Sequence, residues 1–491
     1  MVGSIYKNNF NPNSIAIKYK GNCITYNELD TAVNQYASLL SKLGVKADDR
    51  VLLSCPNSPE FIYSYLSVVK NGAVIVPMNL QLTMTEIRYL LDDSGAKFML
   101  IHPAILKAMN QSQGSLEELL NLQVFVLDEV FKQDLLEIPL VEVEAISDEN
   151  AVSTFLYTSG TTGKPKAAML THKNLVTNAE QCRVAFSTTA EDNFMCVLPM
   201  FHVFGFTVSV LNPLWTGATV TILEKFHPKE IVESFIQDEV TVFAGVPTMY
   251  VVLLEACKNS VLFPKLRLAI SGGAAMPVEV LRQAKDILKL PVVEGYGLTE
   301  ASPVVSFNPL HGMQKVGSIG VPLQGIACKI VDEKDVELPA GTVGELITVG
   351  DNVMRGYYKK ETETAEALKN GWLHTGDLAK KDDEGYLYIV DRKKDLIITG
   401  GLNVYPREVE EVIYQFPKVK EAAVVGVPDN LRGEMVKAFI VLKTGEECTS
   451  RELLAYLKEN LAGYKLPKKI EFIPELPKNG SGKILKRMLK A

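Results

Sequence analysis

No CxxC pair occurs in this chain, and its seven cysteines, Cys23, Cys55, Cys182, Cys196, Cys257, Cys328 and Cys448, are odd in number and widely scattered. That pattern excludes a disulfide framework and a structural zinc site, and it points to a reducing, cytoplasmic compartment. Basic residues are not in excess either: 51 Lys+Arg stand against 58 Asp+Glu, a formal charge of −7. A chain built mainly to hold nucleic acid carries the opposite balance, so no nucleic-acid partner is expected. The start, Met1-Val-Gly-Ser-Ile-Tyr-Lys, lacks the basic region and apolar stretch of a secretory leader. Internal repeats and low-complexity tracts are also missing. Residues 194–223 contain no Asp, Glu, Lys or Arg, which is longer than the roughly 20 residues that cross a bilayer. Pro199, His202, Asn212-Pro213 and Gly217 interrupt that run. A buried strand-loop-helix-strand is therefore expected instead of a membrane span, and peripheral membrane contact stays open.

What is present is a globular composition, 47% hydrophobic and 22% charged over 491 residues. At about 150 residues per domain this length suggests about three domains. Thr25-Tyr-Asn-Glu28 has the form of a capping box, and Leu29, Val33, Tyr36, Leu40 and Leu43 follow at helical spacing. Short apolar strands then alternate with helical stretches past residue 290, which predicts an α/β fold with mainly parallel sheets covered on both faces. From about Gly317 the texture changes to short strands between glycines, such as 327–331, 344–349 and 385–390, as in a small antiparallel sheet or barrel. After Asp391 helices and strands alternate again. The expected division is a large portion over 1–390, with a β-rich subdomain over about 317–390, and a mobile α+β domain over 391–491.

The densest chemical signal is the segment at 157–166, Tyr-Thr-Ser-Gly-Thr-Thr-Gly-Lys-Pro-Lys. Glycines and small hydroxyl residues let backbone N–H groups approach a polyphosphate, and Lys164 and Lys166 offset its charge. A flexible turn is the competing reading of such a composition. The P-loop pattern GxxxxGK[ST] is not met, because the earlier glycine is at 160 and Pro165 stands where that loop needs Ser or Thr.

Five further segments follow in order: Ser271-Gly-Gly-Ala-Ala275, Gly295-Tyr-Gly-Leu-Thr-Glu300, Thr375-Gly-Asp377, Asp391-Arg-Lys-Lys-Asp-Leu-Ile-Ile-Thr-Gly-Gly401 and Pro477-Lys-Asn-Gly-Ser-Gly-Lys483. Together with 157–166 they resemble the adenylate-forming superfamily, in its acyl-CoA synthetase or fatty-acid–CoA ligase branch. The resemblance implies ATP and Mg²⁺ as cofactors and coenzyme A as co-substrate. It assigns Thr158, Ser159, Gly160, Thr161, Thr162, Gly163, Lys164 and Lys166 to the phosphates, and Glu300 with Thr158 to Mg²⁺, a hard cation suited by oxygen ligands. It assigns Thr299 to the α-phosphate. Gly295, Tyr296 and Gly297, with Gly273, Ala274 and Ala275, fall to the adenine, and Asp377 and Arg392 to the ribose or phosphate. Lys483 is the catalytic lysine, Asp391 the hinge, and Gly400 and Gly401 the coenzyme A channel. His202, Phe201, Val246 and Gly272 border the acyl pocket.

The implied reaction joins two anions, a carboxylate and ATP, so cations must gather at one point. Residues 465–491 hold eight Lys+Arg against two Glu, a local +6 that leaves the rest of the chain at −13. A solvated basic tail is the plain reading of such a run; the resemblance sets Lys483 apart from it. A medium- or long-chain fatty acid is the expected substrate. Loading of a carrier-protein thiol is the alternative, and a catalytically silent binding or scaffolding relative is the second. The oligomeric state stays open between monomer and homodimer. One departure from the family pattern is Ala167 in place of glycine after Lys166, tolerable if a strand begins there.

Overall fold

A computed structural model describes residues 1–9, 11–113, 122–139, 142–145, 147–158, 164–257, 263–289, 291–429, 431–480 and 482–490. Two large sheets dominate. In one, the strands Val292–Gly297, Leu268–Ser271, Val242–Gly245, Asn193–Cys196, Thr219–Ile222 and Ile15–Tyr19 run parallel, with antiparallel strands at both edges. The other has a parallel centre of Val152–Thr158, Val74–Pro77, Arg50–Ser54, Phe98–Ile101 and Gln123–Val126. Its antiparallel edge is Lys166–Thr171 followed by Gly356–Tyr357. The central strands are buried on both faces, which is why they read as unbroken apolar runs.

Local chemistry sets the helices around them. Thr25 and Glu28 exchange both capping bonds at the start of the helix Tyr26–Lys42, and Thr83 with Glu86 and Thr171 with Asn174 do the same for Met84–Ser94 and His172–Ala185. Apolar faces of Tyr26–Lys42 and His172–Ala185 meet in a core shared by both sheets, with Leu29, Phe61, Phe194 and Val208 fully buried, while Met84–Ser94 packs Ile87 and Leu90 in a separate cluster with Leu52 and Met99. The uncharged run at 194–223 is the strand Asn193–Cys196, a π-helix over Phe204–Leu211, the short helix Asn212–Thr216 and the strand Thr219–Ile222. No helix among the described residues is long and apolar enough to cross a membrane. Ala167 lies inside a strand and needs no left-handed backbone.

The β-rich segment is an antiparallel sheet of Ala327–Val331, Gly344–Val349, Leu373–Lys381 and Leu387–Arg392. A small C-terminal domain follows, in which Leu402–Val404, Ile397–Thr399, Gly433–Leu442 and Val419–Asp429 pair antiparallel and Lys469–Phe472 adds a parallel edge. The helices Pro406–Tyr414 and Ser450–Asn460 cover it with Val409, Ile413, Leu453 and Leu457.

Gly320 joins the antiparallel sheet to the first large one. Its φ of +80° is left-handed, it bridges to Leu387, and an added Cβ would lie 2.0 Å from the Phe307 carbonyl carbon. Backbone cannot yield as a side chain can. Gly320→Ala should therefore cost about 2 kcal/mol or more, read as a thermal midpoint several degrees lower, and an unchanged midpoint would refute this account.

Candidate active site

Apart from Gly400–Gly401, the described chemistry-bearing segments gather at or near the ends of strands from several sheets. Thr158 closes one strand and pairs with Lys166, the first residue of the next. Residues 159–163 between them, expected to handle phosphate, lie outside the described residues. Lys166 is nearly buried, and its ammonium lies 5.3 Å from the Tyr357 ring centre. The Lys164 ammonium lies 6.0 Å from the Tyr89 ring centre.

Tyr357 also donates its hydroxyl to Glu300 Oε1 at 2.7 Å, and the Met354 N–H donates to the Glu300 carbonyl at 2.8 Å. Tyr357 thus ties the carboxylate to the Thr158–Lys166 strand pair. Glu300 and Thr299 sit in a short 3₁₀ turn just after the strand Val292–Gly297. A carboxylate and a threonine hydroxyl form the hard oxygen donor set that Mg²⁺ prefers alongside phosphate oxygens, so these residues fit the ion.

Gly297 cannot carry a side chain, because a Cβ there would lie 2.2 Å from the Pro303 carbonyl oxygen. Beside it, the Tyr296 hydroxyl donates to Asp377 Oδ2. Burial and the Asp377 charge keep the Tyr296 phenol well above its ordinary value, so it stays a donor. Asp377 is buried, faces Arg392 across the strand pair, and holds the Arg392 Nε at 3.3 Å. Its turn is pinned by Thr375, which accepts the Asp377 N–H at 3.1 Å and donates to the Leu346 carbonyl at 2.7 Å.

The opposite wall is apolar. The strand Leu268–Ser271 ends at Gly272 and Gly273, where a Cβ on Gly272 would meet Phe204 at 3.0 Å and one on Gly273 would meet Val246 at 3.5 Å. Ala274 and Ala275 continue this turn as exposed residues. Phe201 and His202 are half-buried, and His202 Nδ1 accepts the Phe204 N–H at 3.2 Å. Burial and the charge of Lys483 lower His202 to about 4, leaving a neutral imidazole.

Lys483 reaches this place from the small domain. Leu476, Ile484 and Leu489 pack on Ala423, Val425, Phe439 and Val441 of its sheet. A hairpin rises from that base: Lys478 bridges to Ile484, the Asn479 N–H donates to the Lys483 carbonyl, and the Lys483 N–H donates to Asn479 Oδ1, both at 2.9 Å. At its tip the Thr248 hydroxyl donates to the Gly482 carbonyl at 3.1 Å. Gly482 has φ +83°, and a Cβ there would press within 3.2 Å of Val246 and Thr248. Burial, then Arg392, draw Lys483 down to about 8 against the pull of Asp377. Asp391 is buried at the domain junction and accepts the Arg392 N–H at 2.8 Å and the Arg407 N–H at 2.9 Å. The Gly400–Gly401 turn stands apart, with nothing within 4 Å of either added Cβ.

Thr248 and Tyr357 were missed by sequence reasoning. Each acts through a backbone or carboxylate partner far along the chain, and no local pattern marks them.

The description "AMP-binding enzyme" matches residues 7–358, and "AMP-binding enzyme C-terminal domain" matches 408–483. A long-chain-fatty-acid–CoA ligase of Bacillus subtilis is 36% identical, covering 97% of this chain and 91% of its own. A feruloyl-CoA synthase of Amycolatopsis is 36% identical over 97% and 95%. Among solved structures, ATP-bound MatB from Rhodopseudomonas palustris aligns with a TM-score of 0.92 at 32% identity, covering 100% of this chain and 98% of that one. The o-succinylbenzoate coenzyme A synthetase of Bacillus subtilis, in complex with ATP and magnesium ion, aligns at 0.88 with 32% identity over 99% of both chains. With its nucleotide segments and its lysine hairpin both accounted for, this chain belongs to the AMP-binding enzyme family of adenylate-forming acid–thiol ligases, which use ATP, magnesium and coenzyme A.

Proposed function

We propose that the acid activated by this ligase is a medium- or long-chain fatty acid and that Lys483 drives its activation. The observation that carries the proposal is the meeting of Lys483, from the small domain, with Asp377 and His202 of the large one and with Arg392 at the domain junction, beside an apolar wall of Phe204, Val246 and Gly272. An apolar wall with few polar groups suits a hydrocarbon chain, and the 36% identical long-chain-fatty-acid–CoA ligase supports the same choice. A flat aromatic acid is the second reading, favoured by the feruloyl-CoA synthase and by the narrow gap between Phe204 and Gly272.

In the first half-reaction a carboxylate oxygen attacks the α-phosphorus of ATP and the bond to pyrophosphate breaks. Lys483 bridges both anions, and Thr299 bonds the α-phosphate. Asp377 accepts from the ribose hydroxyls with Arg392 alongside, while Tyr296 and the 273–275 turn flank the adenine. Residues 158–166 hold the β- and γ-phosphates. Glu300 and Thr158 would hold Mg²⁺, which would supply charge neutralisation when bound. In the second half-reaction the coenzyme A thiol attacks the acyl carbon and AMP leaves. Rotation of the small domain about Asp391 withdraws Lys483 and brings Gly400 and Gly401 to the thiol path.

Lys483→Ala should lower acid-dependent ATP–pyrophosphate exchange about a hundredfold or more, yet retain thioester formation from supplied acyl-adenylate. Equal loss in both assays would sink the assignment. The charged amine is the bridging form and dominates below about 8 in the free enzyme, so kcat/KM for adenylation should fall as pH rises through that value. Bound ATP raises the lysine pKa, so kcat should hold to higher pH; a kcat/KM flat from about pH 7 to 10 would contradict the role. A panel of dodecanoate, hexadecanoate and ferulate, assayed for AMP release with and without coenzyme A, decides the acid. Ferulate turning over faster than both fatty acids would overturn the first reading.

A further inference from the structure

Lys483 is carried on a hairpin tip, and the large portion touches that tip at two strand ends. The first follows the strand Val242–Gly245, where Val246 precedes the helix Pro247–Ala256 and Thr248 lies in its first turn. The second follows the strand Val74–Pro77, where a Cβ added to Gly480 would lie 3.2 Å from Asn79 Oδ1 and 3.3 Å from Gln81 Oε1. These two strands belong to different large sheets, so the hairpin meets both.

The first contact is directional. Within the hairpin the Gly482 N–H donates to the Asn479 carbonyl at 2.9 Å and the Lys483 carbonyl accepts the Asn479 N–H, which leaves the Gly482 carbonyl to an outside partner. Thr248 is that partner, its hydroxyl donating at 3.1 Å. A threonine in the first turn of a helix commonly turns its hydroxyl onto its own backbone; here the single O–H proton goes across the domain boundary instead. Val246 braces the same spot, with Cγ2 at 3.2 Å from a Cβ added to Gly482 and Cγ1 at 3.5 Å from one added to Gly273. The bonded carbonyl belongs to the residue directly before Lys483. Because the peptide unit is planar, holding that oxygen holds the whole Gly482–Lys483 peptide and with it the direction in which the lysine leaves the backbone. Donor and acceptor lie on different domains, so rotation of the small domain breaks the bond.

We infer that Thr248 is a positioning residue for the first half-reaction: its hydroxyl holds the Gly482–Lys483 peptide and so aims the lysine at the two reacting anions. The inference rests on the two half-reactions proposed above. Thr248 acts through Lys483 and takes no part in thiol attack, which follows withdrawal of the lysine.

The test uses the full chain with dodecanoate, hexadecanoate and ferulate as probes. Thr248→Val replaces the hydroxyl by a methyl group of similar shape, and Thr248→Ser keeps the hydroxyl and drops the methyl. Thr248→Val should lower kcat/KM for acid-dependent ATP–pyrophosphate exchange about fivefold or more, as for one hydrogen bond left unmade, while thioester formation from supplied acyl-adenylate stays within about twofold of wild type. Thr248→Ser should stay within about twofold of wild type in both assays. On a Lys483→Ala background, Thr248→Val should lower exchange by less than about a further twofold, because a group that acts through the lysine then has nothing to position. Retained thioester formation shows that each variant is folded. Exchange by Thr248→Val within about twofold of wild type, equal loss in both half-reactions, a Thr248→Ser variant as slow as Thr248→Val, or multiplied losses on the Lys483→Ala background would overturn the role. A wild-type enzyme with no acid-dependent exchange would instead overturn the proposed function, and this inference with it.

Discussion

The site depends on one close approach, the tip of the Lys483 hairpin against Val246 and Thr248 of the large portion. That approach needs a glycine at 482, whose left-handed backbone and missing Cβ let Thr248 reach its carbonyl. It needs an apolar footing, which Leu476, Ile484 and Leu489 supply on the small-domain sheet. The lysine then stands near Arg392 and Lys394, with Asp377 and, less strongly, Asp395 opposing them. An amine so placed is short of negative partners, the condition under which binding a carboxylate and a phosphate is most favourable.

The carboxylates around it are held rather than free. Asp377 takes the Tyr296 hydroxyl and the Arg392 guanidinium, and Glu300 takes the Tyr357 hydroxyl. Glu345 accepts the Gly376 N–H at 3.1 Å and meets the Lys393 ammonium at 3.2 Å. Asp377 lies inside the strand Leu373–Lys381 next to a bulge, Glu345 near the start of Gly344–Val349 and Glu300 in a 3₁₀ turn, so their geometry belongs to the sheets and survives without ligand. The junction is built in the same economical way. Asp391 joins two portions and also accepts an N–H in the first turn of the helix Pro406–Tyr414, where a carboxylate complements the exposed donors and the helix dipole. Any motion about that residue must uncap the helix or carry it along.

Much of the architecture is legible from residue pattern. Thr25 and Glu28 announce a helix because both capping partners are local, and the alternation of apolar runs and helical periods announces buried parallel strands. The uncharged stretch at 194–223 reads correctly as buried elements because its prolines and asparagine forbid a span. The π-helical form of Phe204–Leu211 is not legible, since the wider turn follows from packing around Gly205, where a Cβ would lie 2.7 Å from the Pro199 carbonyl oxygen. Strand order is equally hidden: Gly356–Tyr357 pairs with Ala168 and Met169, far away along the chain.

The same division holds for the site. The sequence by itself determined the kinds of group available: a glycine- and hydroxyl-rich loop, a carboxylate after Gly-Leu-Thr, an aspartate in a tight turn and a lysine in a glycine-rich hairpin. Those are local choices of chemistry and backbone freedom, and six such segments in order suffice to identify the family. Only the tertiary structure decided which groups share an electric field. Tyr296 with Asp377, Glu300 with Tyr357 and His202 with Lys483 are 57 or more positions apart, and their pairing is set by sheet order and domain packing. Distance along the chain carries no Coulomb energy, whereas distance through a buried interior does.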